Sequence, residues 1–346
     1  MCKRTSEGRN RIWIFKPDRF CACRVFIVGR GLAPAAFIAS FAFVTQTHRA
    51  RPSPYCWLIC EVACDTMNSP INLNMSNGSQ NLILQVKTEM EITNKIIYQI
   101  AMQQSATDAN CDIEDFSRTK NVITLSRENA SARKYLKLPH ICNLISYGNN
   151  IVATVSEEYE NIVKEYISKY PAEHCFETPN MHILNDAFQE LGFRVCFMAE
   201  YFLPDVQILR PLPCDFELKL LTSKDFVDLY TDQWSNALCK KRKELDVLGV
   251  GAYHDGKLIG LAACSADCET MWQIGVDVLS EYRRKGIASA LTSRLAIETL
   301  ERGKVPFYCC AWSNLKSAKN AIKSGFRPAW VEMTVKPALF VDEMNR

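Results

Sequence analysis

Residues 281–288 read Glu-Tyr-Arg-Arg-Lys-Gly-Ile-Ala, and these residue types in this order can hold an anion. The stretch lies between a long apolar run, Met271 to Leu279, and a helical pattern from Ile287 to Glu301. A strand that turns tightly into a helix aims several unpaired backbone N–H groups at one point, and the helix dipole adds positive potential there. Gly286 lets the backbone turn sharply and approach a ligand closely, and Ala288 keeps the helix start uncrowded. Arg283, Arg284 and Lys285 place cationic charge around the same spot, where each charge-assisted hydrogen bond contributes roughly 1.5–3 kcal/mol. A solvated basic helix start with a turn glycine is the competing reading, so the loop needs support from its surroundings.

Other reactive side chains make a weaker case. His182 and His254 are isolated in the sequence, and no Cys-His-Asp arrangement follows from spacing. The ten cysteines after residue 66 form no C-x-x-C pair, so the usual zinc and redox spacings are missing and no metal is expected. They read as small buried hydrophobes. Many free thiols fit a reducing compartment, and a cytoplasmic location is the expectation. Cys309 and Cys310 are adjacent on a strand pattern and so point to opposite faces. At most one of them could relay an acyl group.

The elements around the loop follow from periodicity and turn residues. Ile92, Ile96, Ile97 and Ile100 have helical spacing, which predicts a helix over 89–104. Cys142–Tyr147 and Asn150–Val155 pair across Gly148-Asn149-Asn150 as a hairpin. Helices follow at 157–170 and 181–191, then a strand at 194–203, and Pro204, Pro211 and Pro213 mark a boundary. From Phe216 the pattern restarts with a strand and a helix capped by Ser223 and running towards Lys240. A hairpin across Asp255-Gly256 comes next, then the strand from Met271. After the helix Ile287–Glu301 come a strand at 306–312, a helix at 314–323 ended by Gly325, and a closing strand. The order β-α-β-β-β-α-β-α-β describes a mixed α/β sheet. Ala187–Arg194 and Ala321–Arg327 echo one another, each with Gly-Phe leading into a strand, as Val155–Tyr159 echoes Val278–Tyr282.

Composition divides the chain. Of 346 residues, 48% are apolar and 23% charged, which suits a core-forming chain rather than a disordered or multi-span one. Residues 1–66 hold ten Lys/Arg against four Asp/Glu, whereas the remainder holds 31 against 34, so the body carries no basic footprint for nucleic acid. Gly31–Val44 is apolar but shorter than the roughly 20 residues a membrane span needs. The reading is a leader at 1–66 that is disordered or outside the mature protein, a polar linker at 67–84, an N-terminal domain at 85–212 and a C-terminal domain at 213–346. No nucleic acid or membrane partner is expected, and nothing in the sequence sets an oligomeric state.

The segment Arg283-x-x-Gly286-x-Ala288 follows the strand Ile274–Val278. A helix, a strand, Asn314 and Gly325-Phe326 come after it. Over about residues 213–336 this arrangement resembles the GNAT acyltransferase superfamily. The resemblance implies an acetyl-CoA-dependent N-acyltransferase fold, in tandem with a degenerate GNAT-like N-terminal half. It further implies that the backbone of the 283–288 loop, Ile287 included, binds the pyrophosphate of acetyl-CoA. Val276 and Val278 would hold the pantetheine arm and the acetyl carbonyl, the following strand would splay away, and Asn314 would contact the cofactor arm.

Two positions depart from the family pattern. Where many members carry a tyrosine that protonates the leaving thiolate, this chain has Ala321, and no glutamate stands early in the central strand. Glu269 and Asp277 are the nearest carboxylates and become weak candidates for the general base. Such a group contributes typically 10²–10⁴-fold, so direct attack by a neutral amine, driven by proximity, stays open. The expectation is acetyl transfer to a primary amine of a small molecule or peptide. The rival expectation is a non-catalytic acyl-CoA sensor. Residues between the first two strands of the second half, including the basic run Lys240–Lys243, are where acceptor contacts would be sought.

Overall fold

The computed structural model describes residues 92–346 together with the short segments 11–12, 24–27, 40–44, 62–63 and 83–85. The chain divides into two units, Met1–Glu91 and Ile92–Arg346. In the first, Ser40–Val44 pairs antiparallel with Arg24–Ile27 and with Ile83–Gln85, and Arg11–Ile12 pairs with Val62–Ala63. The remaining leader and linker residues, and the expectations placed on them, lie outside the described residues.

In the second unit ten strands form one sheet. In chain order they are β1 (Val122–Leu125), β2 (Cys142–Ser146), β3 (Val152–Val155), β4 (Phe193–Pro204), β5 (Glu217–Thr222), β6 (Asp246–His254), β7 (Lys257–Ser265), β8 (Met271–Val278), β9 (Val305–Ala311) and β10 (Phe326–Pro337). The helices are α1 (Asn94–Ala109), α2 (Glu160–Lys169), α3 (Thr178–Gln189), α4 (Ile287–Glu301), α5 (Leu315–Lys323) and α6 (Ala338–Met344). Across the sheet the order is β5-β6-β7-β8-β9-β4-β10-β2-β3-β1. The mixed α/β class and the GNAT-type succession β7-β8-α4-β9-α5-β10 agree with the sequence reading.

The long strands β4 and β10 are each twelve residues and pair antiparallel at the centre of the sheet. Because β4 comes from the first half and also pairs with β9, the sheet is continuous across both halves. The helix–Gly–Phe echo therefore has a structural counterpart: α3 leads into β4 and α5 into β10, and these strands lie side by side. The echo between Val155–Tyr159 and Val278–Tyr282 has one as well: β3 and β8 each pair antiparallel with the hairpin strand before them and parallel with a strand on the other edge, and each runs into a 3₁₀ turn and then a helix.

Apolar side chains divide between the two faces as strand alternation requires. Tyr308 and Phe326 pack with Ile287, Leu291 and Leu295 of α4 on one side. Phe307 and Trp330 pack with Ile97, Ala101 and Ala106 of α1 on the other. The β6–β7 hairpin turns at Asp255 and Gly256, both left-handed (φ 49° and 76°), as Asp-Gly between strands demands.

Two helices differ from expectation. Helix α1 begins where Thr93 caps it through the Ile96 N–H and runs on to left-handed Asn110, because Met102, Ala106 and Ala109 continue its buried face. The helix expected from Ser223 towards Lys240 does not form. Short 3₁₀ turns at Ser223–Phe226 and Asp232–Trp234 stand there instead. Its buried anchors, Phe226, Trp234, Ala237 and Leu238, keep the spacing of one helix face, so periodicity alone does not distinguish the two paths. The N–H groups of Asn236 and Ala237, which a helix would use internally, are taken by Asp277.

Candidate active site

Strands β8 and β9 are parallel neighbours from Met271↔Val305 to Ile274↔Tyr308, and there the pairing stops. Beyond it β9 turns its pairing to β4, with Tyr308 opposite Phe202 and Ala311 opposite Ala199. Gly275, Val276, Asp277 and Val278 keep β7 as a partner on one edge and have no strand on the other. Backbone polar groups left without a ladder need partners from elsewhere, so this opening can accept an extended, amide-bearing chain. Val276 and Val278 lie along it, half-buried against the α4 side.

At the end of the opening the chain makes a 3₁₀ turn (Ser280–Tyr282) and then two left-handed residues, Arg284 (φ 64°) and Gly286 (φ 82°), before α4 begins. Gly286 is the N-cap and has no side chain to offer, and the first turn of α4 contains no acidic residue. Among the described residues, the N–H groups of Ile287, Ala288 and Ser289 have no acceptor, and the first helical bond runs from Ala290 to the Gly286 carbonyl. This leaves the positive end of a 15-residue helix open, which favours an anion.

The cationic residues take distinct places. Arg283 donates from Nε to the Val278 carbonyl at 3.0 Å, stapling the loop to the strand end. Lys285 lies over the rings of Tyr282 (5.0 Å) and Phe216 (5.8 Å), and Tyr282 in turn meets His254 Nδ1 at 3.0 Å. Lys323, which the sequence reading did not single out, brings its Nζ within 3.9 Å of where a Gly286 side chain would begin. It gets there because α5 is tied to α4 by Ser289–Asn320, Asn320–Thr292 and Ser324–Ser289 hydrogen bonds. In sequence Lys323 reads as an ordinary cation in a helix's last turn.

Asn314 caps α5 by accepting from the Ser317 N–H at 3.2 Å, so its placement has a structural cause independent of any ligand. Asp277 accepts from the Asn236 N–H (2.8 Å), the Asn236 side-chain amide (2.7 Å) and the Ala237 N–H (3.0 Å). Its lone pairs are committed to anchoring the 234–238 segment over β8 rather than to taking a proton. Glu269 is exposed in the turn before β8. At about 3.3 Å per residue, the strand from Met271 to Val276 alone sets that turn roughly 16 Å from Val276. The structure therefore brings together the loop, Val276, Val278 and the α4 N-terminus, and leaves Glu269 outside.

Ala321 is fully buried (0% exposed), in the same cluster as Tyr308. Tyr308, at the last paired position before the opening, shares a 2.7 Å hydrogen bond with Ser317, one turn before Ala321 on α5. Burial raises the Tyr308 pKa, so the hydroxyl keeps its proton at neutral pH. On the opposite face Cys309 receives a hydrogen bond from Gln273 at 3.0 Å, and burial pushes its thiol up to about 12. A neutral thiol of this kind is a poor nucleophile, which weighs against an acyl-cysteine relay. Among the described residues there is no group of three or more His, Cys, Asp or Glu that could hold a metal, and no helix is long and apolar enough to cross a membrane.

Against known proteins, the model of a family described as GNAT acetyltransferase matches residues 146–329, just over half of the chain. No curated protein matches. Solved structures that resemble this one include a GCN5-related N-acetyltransferase-like protein from Streptococcus suis 89/1591, with 22% identity over 45% of this chain and 69% of that one and a TM-score of 0.35. A GNAT-family acetyltransferase from Colwellia psychrerythraea is 13% identical over 86% of both chains, with a TM-score of 0.35. A tandem GNAT protein from the clavulanic acid biosynthesis pathway is 15% identical over 47% of this chain and 59% of that one, with a TM-score of 0.32.

Proposed function

The chain belongs to the GNAT acetyltransferase family, and on that premise we propose that it transfers an acetyl group from acetyl-CoA to a primary amine in the cytoplasm. The observation that carries the reading is the opening between β8 and β9 leading directly to the uncapped start of α4. The residues present fit such a co-substrate. The free N–H groups of Ile287, Ala288 and Ser289, with Arg284 and Lys323 beside them, suit the pyrophosphate. The unpartnered edge at Val276 suits the amide-bearing arm. Acetyl-CoA supplies an activated thioester, and the protein's part is to bind, orient and exchange protons around it.

Three roles follow for this chain's own side chains. Arg283 fixes the relation between strand edge and loop by holding the Val278 carbonyl. The 234–238 segment, held by Asp277 over Gly275, closes the face from which an acceptor approaches. Tyr308, neutral and bonded to Ser317, is the candidate proton donor to a departing thiolate, in place of the side chain Ala321 lacks. Neither Glu269 nor Asp277 is placed to act as base, so the acceptor is expected to react as the free amine, and the rate should rise with pH towards the pKa of that amine. The first half would serve as scaffold, supplying β4 beside β9.

A second reading, a non-catalytic acyl-CoA-binding module, is favoured by the commitment of Asp277 to three N–H groups and by Ala321. Titration of acetyl-CoA into the full chain tests what the two readings share. Free thiol production with a panel of amines then divides them: release of CoA above the blank supports transfer, and tight binding with no release supports the module.

A further inference from the structure

A cavity of about 560 Å³ lies on the β4–β10 surface, separated from the β8–β9 opening by the single strand β9, whose Cys309 and Ala311 pair with Tyr201 and Ala199 of its floor. Its floor comes from side chains that strand alternation sends to one face: Phe197, Ala199 and Tyr201 of β4, and Glu332, Thr334 and Lys336 of β10. The 135–141 segment and Phe340 of α6 form the walls. The volume falls within the range of small-molecule sites, and the lining is mostly apolar with a few polar groups, as such sites usually are.

The polar groups are unevenly satisfied. At the inner end Glu332 is engaged: it accepts from the Trp330 indole at 2.8 Å and pairs with Arg133 at 3.4 Å. Arg133, 1% exposed, is itself held by Asp108. At the other end the groups are unmet. His140 is 2% exposed, yet among the described residues neither of its ring nitrogens has a partner, and Thr334 Oγ1 has none either. Lys336, half-buried, and Lys137 form no ion pair among the described residues. Arg194, opposite Lys336 in register, is already paired with Asp342 at 2.7 Å. Desolvation and Lys137 lower the Lys336 pKa, and burial with Lys336 pushes His140 down to about 4. Buried polar atoms left this way, those of His140 and Thr334, are costly unless something completes them.

We propose that this cavity binds a small amphipathic carboxylate, with its apolar body against Phe197, Tyr201 and Phe340 and its anionic head at Lys336, Thr334 and His140. A carboxylate offers acceptors to the ammonium, the hydroxyl and the His140 N–H together, and it supplies the missing negative charge. A cationic head would meet two lysines. The engaged Glu332 leaves no reason for the head to sit at the inner end. The inference does not depend on acyl transfer, because the site shares no residue with the α4 loop or the β8–β9 opening.

Calorimetric titration of sodium octanoate into the full chain tests it, with octylammonium chloride as the charge-reversed probe. Octanoate is expected to bind with Kd below about 1 mM, and octylammonium to give no saturable signal. Lys336→Met, which keeps the apolar stem, should weaken octanoate at least about tenfold, the worth of one charge-assisted bond. Ala199→Phe should abolish binding by filling the cavity. Thr334→Val gives a milder check, expected at severalfold, should the Phe variant fail to fold. Octanoate affinity should be the same with saturating acetyl-CoA. The proposal is overturned by absence of octanoate binding, by equal binding of octylammonium, by full affinity in Lys336→Met, or by displacement with acetyl-CoA, which would place the probe in the co-substrate channel.

Discussion

Replacing Gly275 by alanine puts a methyl group where the structure has a backbone oxygen. An ideal Cβ at 275 would lie 1.9 Å from the Asn236 carbonyl oxygen, and Cβ contacts below 3.0 Å essentially do not occur. The 234–238 segment must then retreat by roughly 1 Å, and a backbone carbonyl cannot yield by changing rotamer. That retreat breaks the N–H bonds from Asn236 and Ala237 to Asp277, now 2.8 and 3.0 Å. Two charge-assisted bonds at a partly exposed site are worth about 1.5 kcal/mol each, near the low end of their range. Alanine recovers about 0.5–1 kcal/mol of strand propensity, so the net loss should be about 2 kcal/mol.

Urea unfolding followed by tryptophan fluorescence reads this directly, because Trp234 is buried in the displaced segment. Asp277→Asn should lose a similar amount by the same route. The double variant should therefore cost clearly less than the two losses together. Stabilisation by Gly275→Ala, or strict additivity with Asp277→Asn, would refute the reasoning that one anchor holds the segment.

Three further outcomes are expected. Lys323→Ala should weaken acetyl-CoA binding about three- to tenfold, with the deficit shrinking as salt rises, since the ammonium acts as a charge beside the Gly286 loop; titrations at two ionic strengths read it. Tyr308→Phe should lower kcat about 10–100-fold and leave acetyl-CoA affinity within about twofold, because only the proton donor is removed; steady-state kinetics beside calorimetry separate the two. His140 has its folded pKa depressed to about 4 from an ordinary 6.5. The unfolded chain thus binds a proton first, and the stability this group protects is present above pH 6.5 and lost as pH falls towards 4. His140→Gln should flatten that part of the stability profile by up to about 3 kcal/mol, as unfolding midpoints between pH 4 and 7 would reveal.

The anion loop was legible because it is local: a strand, a turn glycine and a helix start within twenty residues dictate one another. The β6–β7 hairpin was legible for the same reason, from Asp255-Gly256 alone. What the sequence concealed depends on distant partners. The 223–240 segment looked helical, but its path is set by Gly275 and Asp277, some forty residues away. The insertion of β4 between β9 and β10 joins strands more than a hundred residues apart, and no local pattern announces it. Lys323 and Tyr308 matter through the crossing of α5 over α4 and β9. The cavity gathers Lys336, His140 and Phe197 from three separated stretches. Glu269 shows the converse error, since proximity in sequence to β8 placed it near a site that opens at the other end of the strand.

The most direct test of the account is calorimetric titration of acetyl-CoA into the wild-type full chain beside Gly286→Glu and Gly286→Ala. Gly286 is left-handed with open space at its Cβ save for Lys323, so both variants carry the same backbone strain, of order 1–3 kcal/mol. Only the glutamate puts an anion at the uncapped end of α4. Micromolar binding in the wild type, retained within about tenfold in the alanine variant and lost in a folded glutamate variant, is the predicted result. Equal affinity in the glutamate variant, or no binding by a folded wild type, would contradict the assignment of this loop.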